Sequence, residues 1–103
     1  MAIVQIRSKK PSWRKELYMP MFSVIVPLYN KEQYIKKTVS CVLAQTIADF
    51  ELIIVDDGST DNGPQYVSEI QDGRIRMLSQ GNAGVSAARN HGIREAKIGR
   101  AHV

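Results

Sequence analysis

The chain has 103 residues, of which 44% are hydrophobic and 23% are charged, so it can form at most one small globular domain. It has no apolar run long enough for a transmembrane helix and no signal-peptide core, so membrane spanning and secretion are not indicated. The net charge of +4 comes from residues 1–18, which carry five basic side chains and one acidic one, while the other 85 residues carry nine of each. The charge of the domain itself therefore argues against nucleic acid as a partner.

Residues 1–18 form a basic leader without a clear period. Three interpretations are open: a disordered or membrane-surface arm, a structured extension, or translated sequence upstream of the natural start. Met19-Pro20-Met21 directly precedes a strand pattern, as an initiator would, and favours the third interpretation.

Cys41 is the only cysteine and lies in a helical pattern, so we expect a buried thiol, a reducing compartment and a cytoplasmic location.

The first half of the chain predicts a strand, a helix and a second strand. Phe22–Leu28 is almost wholly apolar, which is typical of a strand buried on both faces, and Pro27 is expected to end its pairing. Residues 31–45 have apolar side chains at helical spacing, with Asn30 as the expected N-cap. The stretch Leu52–Asp61 begins as a second buried strand, which is followed by two carboxylates and a Gly-Ser-Thr turn.

The second half continues the alternation of helices and strands. Asp61 or Asn62 is expected to cap a second helix, and residues 74–78 predict a third strand nearer the edge of the sheet. A glycine-rich loop at residues 80–84 and a helix of small residues at 85–96 follow. The order β-α-β-α-β-α predicts an α/β fold, with a parallel sheet, right-handed crossovers and helices on both faces.

Sheets of this kind bind ligands just beyond the carboxyl ends of their strands, and polar side chains collect there in this sequence. Tyr29 offers a ring on which a nucleobase can stack, and Asp57 can accept a hydrogen bond from a base or a ribose. Asn82 and Gly84 suit a loop whose backbone approaches a ligand closely, and Arg89 can pair with a phosphate.

Each of these residues also has a purely structural interpretation. Asp56-Asp57-Gly58-Ser59 is by itself typical of a polar turn, Tyr29 can pack on the first helix, and Arg89 can form an ion pair with a strand-end aspartate. His91 is expected on the surface of its helix. Residues 27–30 contain no glycine, so the first loop has neither a dinucleotide fingerprint nor a phosphate-binding P-loop.

Four segments resemble glycosyltransferase family 2 in their order and spacing: Phe22–Asn30, Val42–Thr46, Phe50–Asp61 and Gly81–Asn90. The resemblance covers residues 21–97 and implies a Rossmann-like GT-A fold, here truncated to about three β-α units. It implies transfer of a sugar from a nucleotide donor, often UDP-linked, to an acceptor hydroxyl with inversion. A non-catalytic nucleotide-binding module and a nucleotidyltransferase of similar topology are the alternatives.

The same resemblance implies residue roles. Pro27 and Tyr29 would line the base pocket, Asp57 would accept a hydrogen bond from the uracil ring, and Asp56 would support its loop. The expected nucleotide-sugar-binding set is Pro27, Tyr29, Asn30, Glu32, Asp56, Asp57, Gly58, Asn82, Gly84 and Arg89. The implied cofactor of the full-length enzyme is Mn²⁺ or Mg²⁺. Its implied partners are a nucleotide-sugar donor and a saccharide or lipid-linked acceptor, with peripheral association at the inner face of a membrane.

Two further expectations concern the C-terminal end of the chain. The Asp-x-Asp metal motif and the catalytic base of the family are expected beyond Lys97, so no catalytic or metal-binding residue is assigned within this chain. Residues 98–103, Ile-Gly-Arg-Ala-His-Val, match the translation of a widely used sequencing adapter up to its stop codon, and we expect a non-native tail. The alternative is a natural C terminus that agrees by coincidence, and the coding DNA decides between them.

Overall fold

The computed structural model of the protein describes residues 4–7, 22–44 and 50–96. Along the chain its elements are β1 (Val4–Arg7), β2 (Phe22–Leu28), α1 (Glu32–Leu43), β3 (Phe50–Asp57), α2 (Gly63–Ser68), β4 (Ile75–Gln80) and α3 (Val85–Glu95). The strands form one sheet in the order β1-β2-β3-β4, in which β2, β3 and β4 are parallel. The predicted α/β fold with a parallel sheet is therefore confirmed.

One strand of the sheet was not predicted. β1 lies in the basic leader and pairs antiparallel with β2, with Val4 opposite Ile25 and Arg7 opposite Phe22. For these four leader residues, the structured extension is the interpretation that fits. That residues 1–18 are translated sequence upstream of the natural start stays a prediction. The rest of the leader and the expected non-native tail at 98–103 lie outside the described residues.

The core has two layers because the central strands bury side chains on both faces of the sheet. On one face, strand residues pack against α1 and α2; the buried members of this layer are Val24, Val26, Leu28, Ile35, Val39, Val42, Phe50, Leu52, Ile54 and Val67. On the other face, strand residues pack against α3; the buried members here are Ile25, Ile53, Val55, Ala88 and Ala96. This double burial explains the unbroken apolar runs of β2 and β3, and it puts helices on both faces as predicted.

The α3 layer is thin because its helix presents small residues to the sheet. A Cβ atom added to Gly92 would lie 2.5 Å from Ile25 Cγ2 and 3.2 Å from Val55 Cγ2, so the helix backbone rests almost directly on the strands. Arg76 Nη1 donates to the carbonyl of Glu95 at 2.7 Å and fastens the end of α3 to β4. The position of α3, and with it the loop that precedes it, is therefore closely defined.

Two expectations within the fold were wrong. Pro27 does not end the pairing of β2, because the register with β3 continues through Pro27 opposite Val55 and Leu28 opposite Asp56. Successive N–H groups of a strand point to opposite neighbours, so a proline removes a donor on one side only. Cys41 is exposed and not buried, because α1 buries a different face; the reducing compartment stays a prediction.

Helices long and apolar enough to cross a bilayer are absent from residues 4–7, 22–44 and 50–96.

Candidate functional site

Side chains join the loop after β2 to the loop after β3. Asn30 Oδ1 accepts a hydrogen bond from the Thr60 N–H at 2.8 Å, and the Asn30 N–H donates to Ser59 Oγ at 3.1 Å. Asn30 has a φ of 48°, in the left-handed region that asparagine tolerates better than most residues. The prediction that Asn30 is the N-cap of α1 was wrong, since Lys31 holds that position and the Asn30 oxygen is used by Thr60.

Asp61 serves as a cap for two helices. Its Oδ2 accepts from the Glu32 N–H at 3.1 Å at the start of α1, and its Oδ1 accepts from the Gly63 N–H at 3.0 Å at the start of α2. Glu32 reciprocates, because its Oε2 accepts from the Asn62 N–H at 3.2 Å. Asn62 holds the N-cap position of α2 without a side-chain capping hydrogen bond, and Asp61, one residue earlier, supplies the acceptor instead. The Asp61 carboxylate also satisfies an otherwise unpaired N–H of α1. We call these contacts of Asn30, Glu32 and residues 59–62 the β2/β3 junction.

The loops after β3 and β4 meet around one carboxylate. Asp57 Oδ1 accepts from Gln80 Nε2 at 2.9 Å and from the Ala83 N–H at 2.8 Å, and Oδ2 accepts from the Gly84 N–H at 3.0 Å. Asn82 Nδ2 donates to the Asp57 carbonyl at 3.1 Å. Asp57 is only 3% exposed. We call Asp57, Gln80 and residues 82–84 the β3/β4 junction.

These contacts fix the charge state of Asp57. The side-chain amide of Gln80 and the N–H of Ala83 hold the pKa of the carboxyl below its usual value, burial opposes them, and the N–H of Gly84 adds a smaller lowering. Asp57 is therefore an anion at neutral pH. Oδ1 already accepts two hydrogen bonds and Oδ2 accepts one, so Oδ2 keeps one acceptor direction for a further donor.

Gly58 allows the two loops to approach each other. Its φ is +75°, and an added Cβ would lie 2.9 Å from the backbone nitrogen of Asn82. Beside it, Asp56 Oδ1 accepts from the Ser59 N–H, three residues along the chain, at 3.0 Å. The Asp-Asp-Gly-Ser segment is thus a polar turn, and it also joins all three loops at the strand ends.

The remaining predicted residues lie around this centre. Tyr29 follows β2 and is 44% exposed, so its ring is accessible, whereas Pro27 lies within β2. Arg89 is half-buried on α3, and its Nε is buried without a hydrogen-bond partner among the residues that the structure describes. The expected alternative, an ion pair of Arg89 with a strand-end aspartate, is not the arrangement seen, since neither Asp56 nor Asp57 contacts Arg89 among the ion pairs and hydrogen bonds of the described residues.

Two residues at and beside the β3/β4 junction, Gln80 and His91, were not among the predicted site residues. Gln80 was noted only as part of a glycine-rich loop, yet its amide bonds the Asp57 carboxylate. His91 was expected on the helix surface, yet it is half-buried and its Nδ1 lies 2.9 Å from Gln80 Oε1. The register of the sheet would have identified Gln80 as a neighbour of Asp57, because it places the two residues opposite each other in the parallel pairing of β3 with β4.

A shallow depression of about 220 Å³ lies at the start of α1, on the β2/β3 junction. Its lining residues are Asn30, Lys31, Glu32, Gln33, Tyr34 and Asp61. This is smaller than the roughly 300–1,000 Å³ typical of small-molecule sites. This depression is therefore too small to hold a whole nucleotide-sugar by itself.

The divalent cation implied by the family resemblance does not fit the described residues. In the stretches 4–7, 22–44 and 50–96, no three His, Cys, Asp or Glu side chains are grouped as metal ligands. The strand-end carboxylates of Asp56 and Asp57 already accept hydrogen bonds from protein N–H groups. We therefore derive no step through a metal from these residues.

Comparison with known proteins identifies the family. The model of glycosyl transferase family 2 matches residues 23–98. The uncharacterized glycosyltransferase EpsJ of Bacillus subtilis is 41% identical over 81 residues, which cover 77% of this chain and 24% of that protein. Glycosyltransferase GlyG of Streptococcus pneumoniae serotype 4 is 45% identical over 80 residues, covering 75% of this chain and 27% of that protein.

A solved structure shares the fold. The mannosyltransferase PcManGT of Pyrobaculum calidifontis, in complex with GDP-Man and Mn²⁺, matches with a TM-score of 0.65 and 26% identity, over 73% of this chain and 24% of that one. The Rossmann-like GT-A fold implied by the sequence is thereby confirmed. The chain spans about a quarter of the length of these proteins. Because the family model covers well over half of its residues, this chain belongs to glycosyltransferase family 2.

Proposed function

We propose that this chain is the nucleotide-binding part of a glycosyltransferase that uses a nucleotide-sugar donor. The observation that carries the proposal is that the loops after β2, β3 and β4 are hydrogen-bonded into one polar surface at the carboxyl ends of the strands. Doubly wound sheets bind their ligands at this edge. Support for the ligand class comes from PcManGT, whose solved complex contains GDP-Man.

In this proposal, Tyr29 and Asp57 recognise the base. The exposed Tyr29 ring offers a stacking surface, and such stacking contributes roughly 1–3 kcal/mol per base. The remaining acceptor direction of Asp57 Oδ2 suits a base that presents a ring N–H, as both uracil and guanine do. We propose UDP as the first choice from the family resemblance and GDP as the one to compare with it. Asn30, Glu32, Asp56, Gly58, Asn82 and Gly84 shape the loops around the base, and Arg89 supplies positive charge for the diphosphate.

The proposed reaction of the complete enzyme is a direct displacement. The acceptor hydroxyl oxygen gives its proton to a general base and bonds to the anomeric carbon, while the bond from that carbon to the diphosphate oxygen breaks and the nucleoside diphosphate leaves, so the configuration inverts. We assign no general base within residues 22–96. For this chain alone we propose donor binding without turnover, since it spans about a quarter of the relatives with which it aligns.

Titration of UDP, GDP and ADP into the chain, followed by calorimetry, tests the proposal. We expect UDP or GDP to bind more tightly than ADP, and Tyr29→Ala to weaken that binding about tenfold because stacking is lost. Ile93→Ala, a truncation of an exposed residue on α3, is the control and should leave the affinity unchanged. Equal affinity for all three nucleotides, or equal effects of the two variants, would refute the proposal. In the complete protein, nucleotide binding at full strength without Mn²⁺ or Mg²⁺ would favour a non-catalytic nucleotide-binding module.

A further inference from the structure

The Asp57 carboxylate is the inner end of a hydrogen-bonded chain that crosses from β3 through β4 to α3. Asp57 Oδ1 lies 2.9 Å from Gln80 Nε2, and on the other side of the same amide Gln80 Oε1 lies 2.9 Å from His91 Nδ1. Gln80 and His91 are both half-buried. Neither residue belongs to the set expected to touch the donor.

The chemistry of the three groups determines the direction of every hydrogen bond in this chain. An ionised carboxylate can only accept, so Gln80 must turn its NH₂ group towards Asp57. The carbonyl of Gln80 then faces His91 and can only accept. His91 must therefore carry a proton on Nδ1, which selects one tautomer of the neutral ring; this holds whichever way the amide was first placed.

We propose that Gln80 and His91 are positioning residues that orient the Asp57 carboxylate, with the His91 Nδ1–H as the donor that stabilises the Gln80 amide in the orientation that Asp57 requires. Gln80 occupies one side of Oδ1, and the N–H groups of Ala83 and Gly84 occupy the other contacts. Three donors on its two oxygens therefore hold the carboxylate in one orientation. A flipped Gln80 would present its oxygen to the carboxylate, and the resulting repulsion would release the loop.

This positioning role rests on the proposed function only where nucleotide binding is concerned. The orientation of Asp57 is a property of the unliganded protein. Gln80 and His91 differ from the residues proposed to touch the ligand, because Gln80 and His91 act only through Asp57.

The tautomer of His91 can be read from long-range ¹H–¹⁵N correlations of the full chain at about pH 8, where an ordinary histidine is neutral. The chain has two histidines, and the resonances that vanish in a His91 variant identify this ring. We expect a proton on Nδ1 and none on Nε2. In Gln80→Leu, which removes the acceptor, the ring should change to the Nε2–H tautomer that free histidine favours.

Two nearly isosteric variants separate the donor from the shape of the side chain. His91→Asn keeps an NH₂ donor near the Nδ1 position, whereas His91→Asp offers only acceptors and forces Gln80 to turn round. We expect His91→Asn to keep the ¹³C titration midpoint of Asp57 and, where the wild type binds UDP or GDP, its affinity within about twofold. His91→Asp should raise that midpoint and weaken nucleotide binding about tenfold.

The outcomes are distinct for the two proposals. A proton on Nε2 of His91 in the wild type, or the same Asp57 titration in His91→Asn and His91→Asp, would overturn the positioning role. Failure of the wild type to bind either nucleotide would instead overturn the proposed function, and the tautomer and the Asp57 titration would still decide the positioning role. A raised Asp57 midpoint in His91→Asp together with unchanged nucleotide affinity would overturn the link between this orientation and the site.

Discussion

The two junctions at the strand ends are built in different ways. At the β2/β3 junction the hydrogen bonds are shared among several partly exposed side chains, with Asn30, Glu32 and Asp61 each accepting from backbone N–H groups of the opposite segment. At the β3/β4 junction a single buried carboxylate, Asp57, accepts from Gln80 and from two backbone N–H groups of the next loop. The β2/β3 junction therefore depends on several side chains, whereas the β3/β4 junction depends mainly on one.

This difference indicates which loop depends on a single residue. If one contact of the β2/β3 junction is lost, water can replace it and the other contacts remain. If the Asp57 side chain is lost, the N–H groups of Ala83 and Gly84 lose their acceptor together, and only the Asn82 side chain still bonds the loop to the end of β3. Substitutions at the β3/β4 junction should therefore have larger effects than substitutions at the β2/β3 junction.

Replacement of Asp57 should have the largest effect. Asp57→Ala removes three hydrogen bonds at once, and we expect the amide protons of Ala83 and Gly84 to exchange with solvent at least about tenfold faster. Asp56→Ala removes one hydrogen bond of a half-buried carboxylate and is the matched control. Equal protection of the two amides in both variants would contradict the dependence of the β3/β4 junction on Asp57. The measurement is hydrogen exchange followed by NMR.

Adding a methyl group at Gly58 should separate the same two loops. Gly58→Ala places a Cβ at a φ of +75° and 2.9 Å from the Asn82 nitrogen, so we expect a loss of about 2–3 kcal/mol in the free energy of unfolding. Gly73→Ala is the control, because its Cβ would meet nothing within 4 Å. Urea denaturation measures both. A loss in Gly58→Ala no larger than that in Gly73→Ala would show that the approach of the loops is not tight.

The β2/β3 junction should respond more weakly to the loss of its principal carboxylate. Asp61→Ala removes the caps of two helices, and we expect about 1–2 kcal/mol of destabilisation. Asn62→Ala alters the formal N-cap of α2, whose side chain makes no capping hydrogen bond, and should change stability little. Urea denaturation at neutral pH compares them. Equal losses would contradict the assignment of the caps to Asp61.

Lowering the pH should reduce the free energy of unfolding gradually. The Arg74 side chain and N–H lower the pKa of Asp72 from 3.8 to about 2, and the pKa of Asp57 is also lowered. A carboxyl whose folded pKa is depressed stabilises the fold above its unfolded pKa, and that stabilisation is lost as the pH falls towards the folded pKa. We therefore expect the free energy of unfolding to fall between about pH 4 and pH 2. The fall should be smaller in Asp72→Asn, as urea denaturation at several pH values would measure.

The elements could be predicted from the sequence because their signals are local. The apolar run of β3 and the helical spacing of α1 each depend on neighbouring residues, and the alternation in β4 indicated an edge position, where the described sheet ends. The strand Val4–Arg7 was missed because four residues in a basic leader carry little periodicity, and their pairing with β2 depends on a partner far along the chain.

The candidate site was predictable in its location but not in its contacts. Rules for parallel sheets placed Asp57, Asn82 and Gly84 at one edge. The partners of Asp57 depend on the register of β3 with β4 and on how closely α3 packs on the sheet. Neither can be read from one sequence, so Gln80 and His91 were missed. Asn30 was assigned as a helix cap for the same reason, since its true partner Thr60 lies on another loop.

The most direct test of the account is a chemical-shift map of the ¹⁵N-labelled chain titrated with UDP and GDP. We predict that the shifts concentrate at residues 29–30, 57–60 and 82–84, because these loops form the proposed nucleotide surface. Amides of α2 and of the first half of β4 should stay unchanged. An absence of shifts with both nucleotides, or shifts centred away from these three loops, would contradict the proposal that the strand ends bind the donor nucleotide.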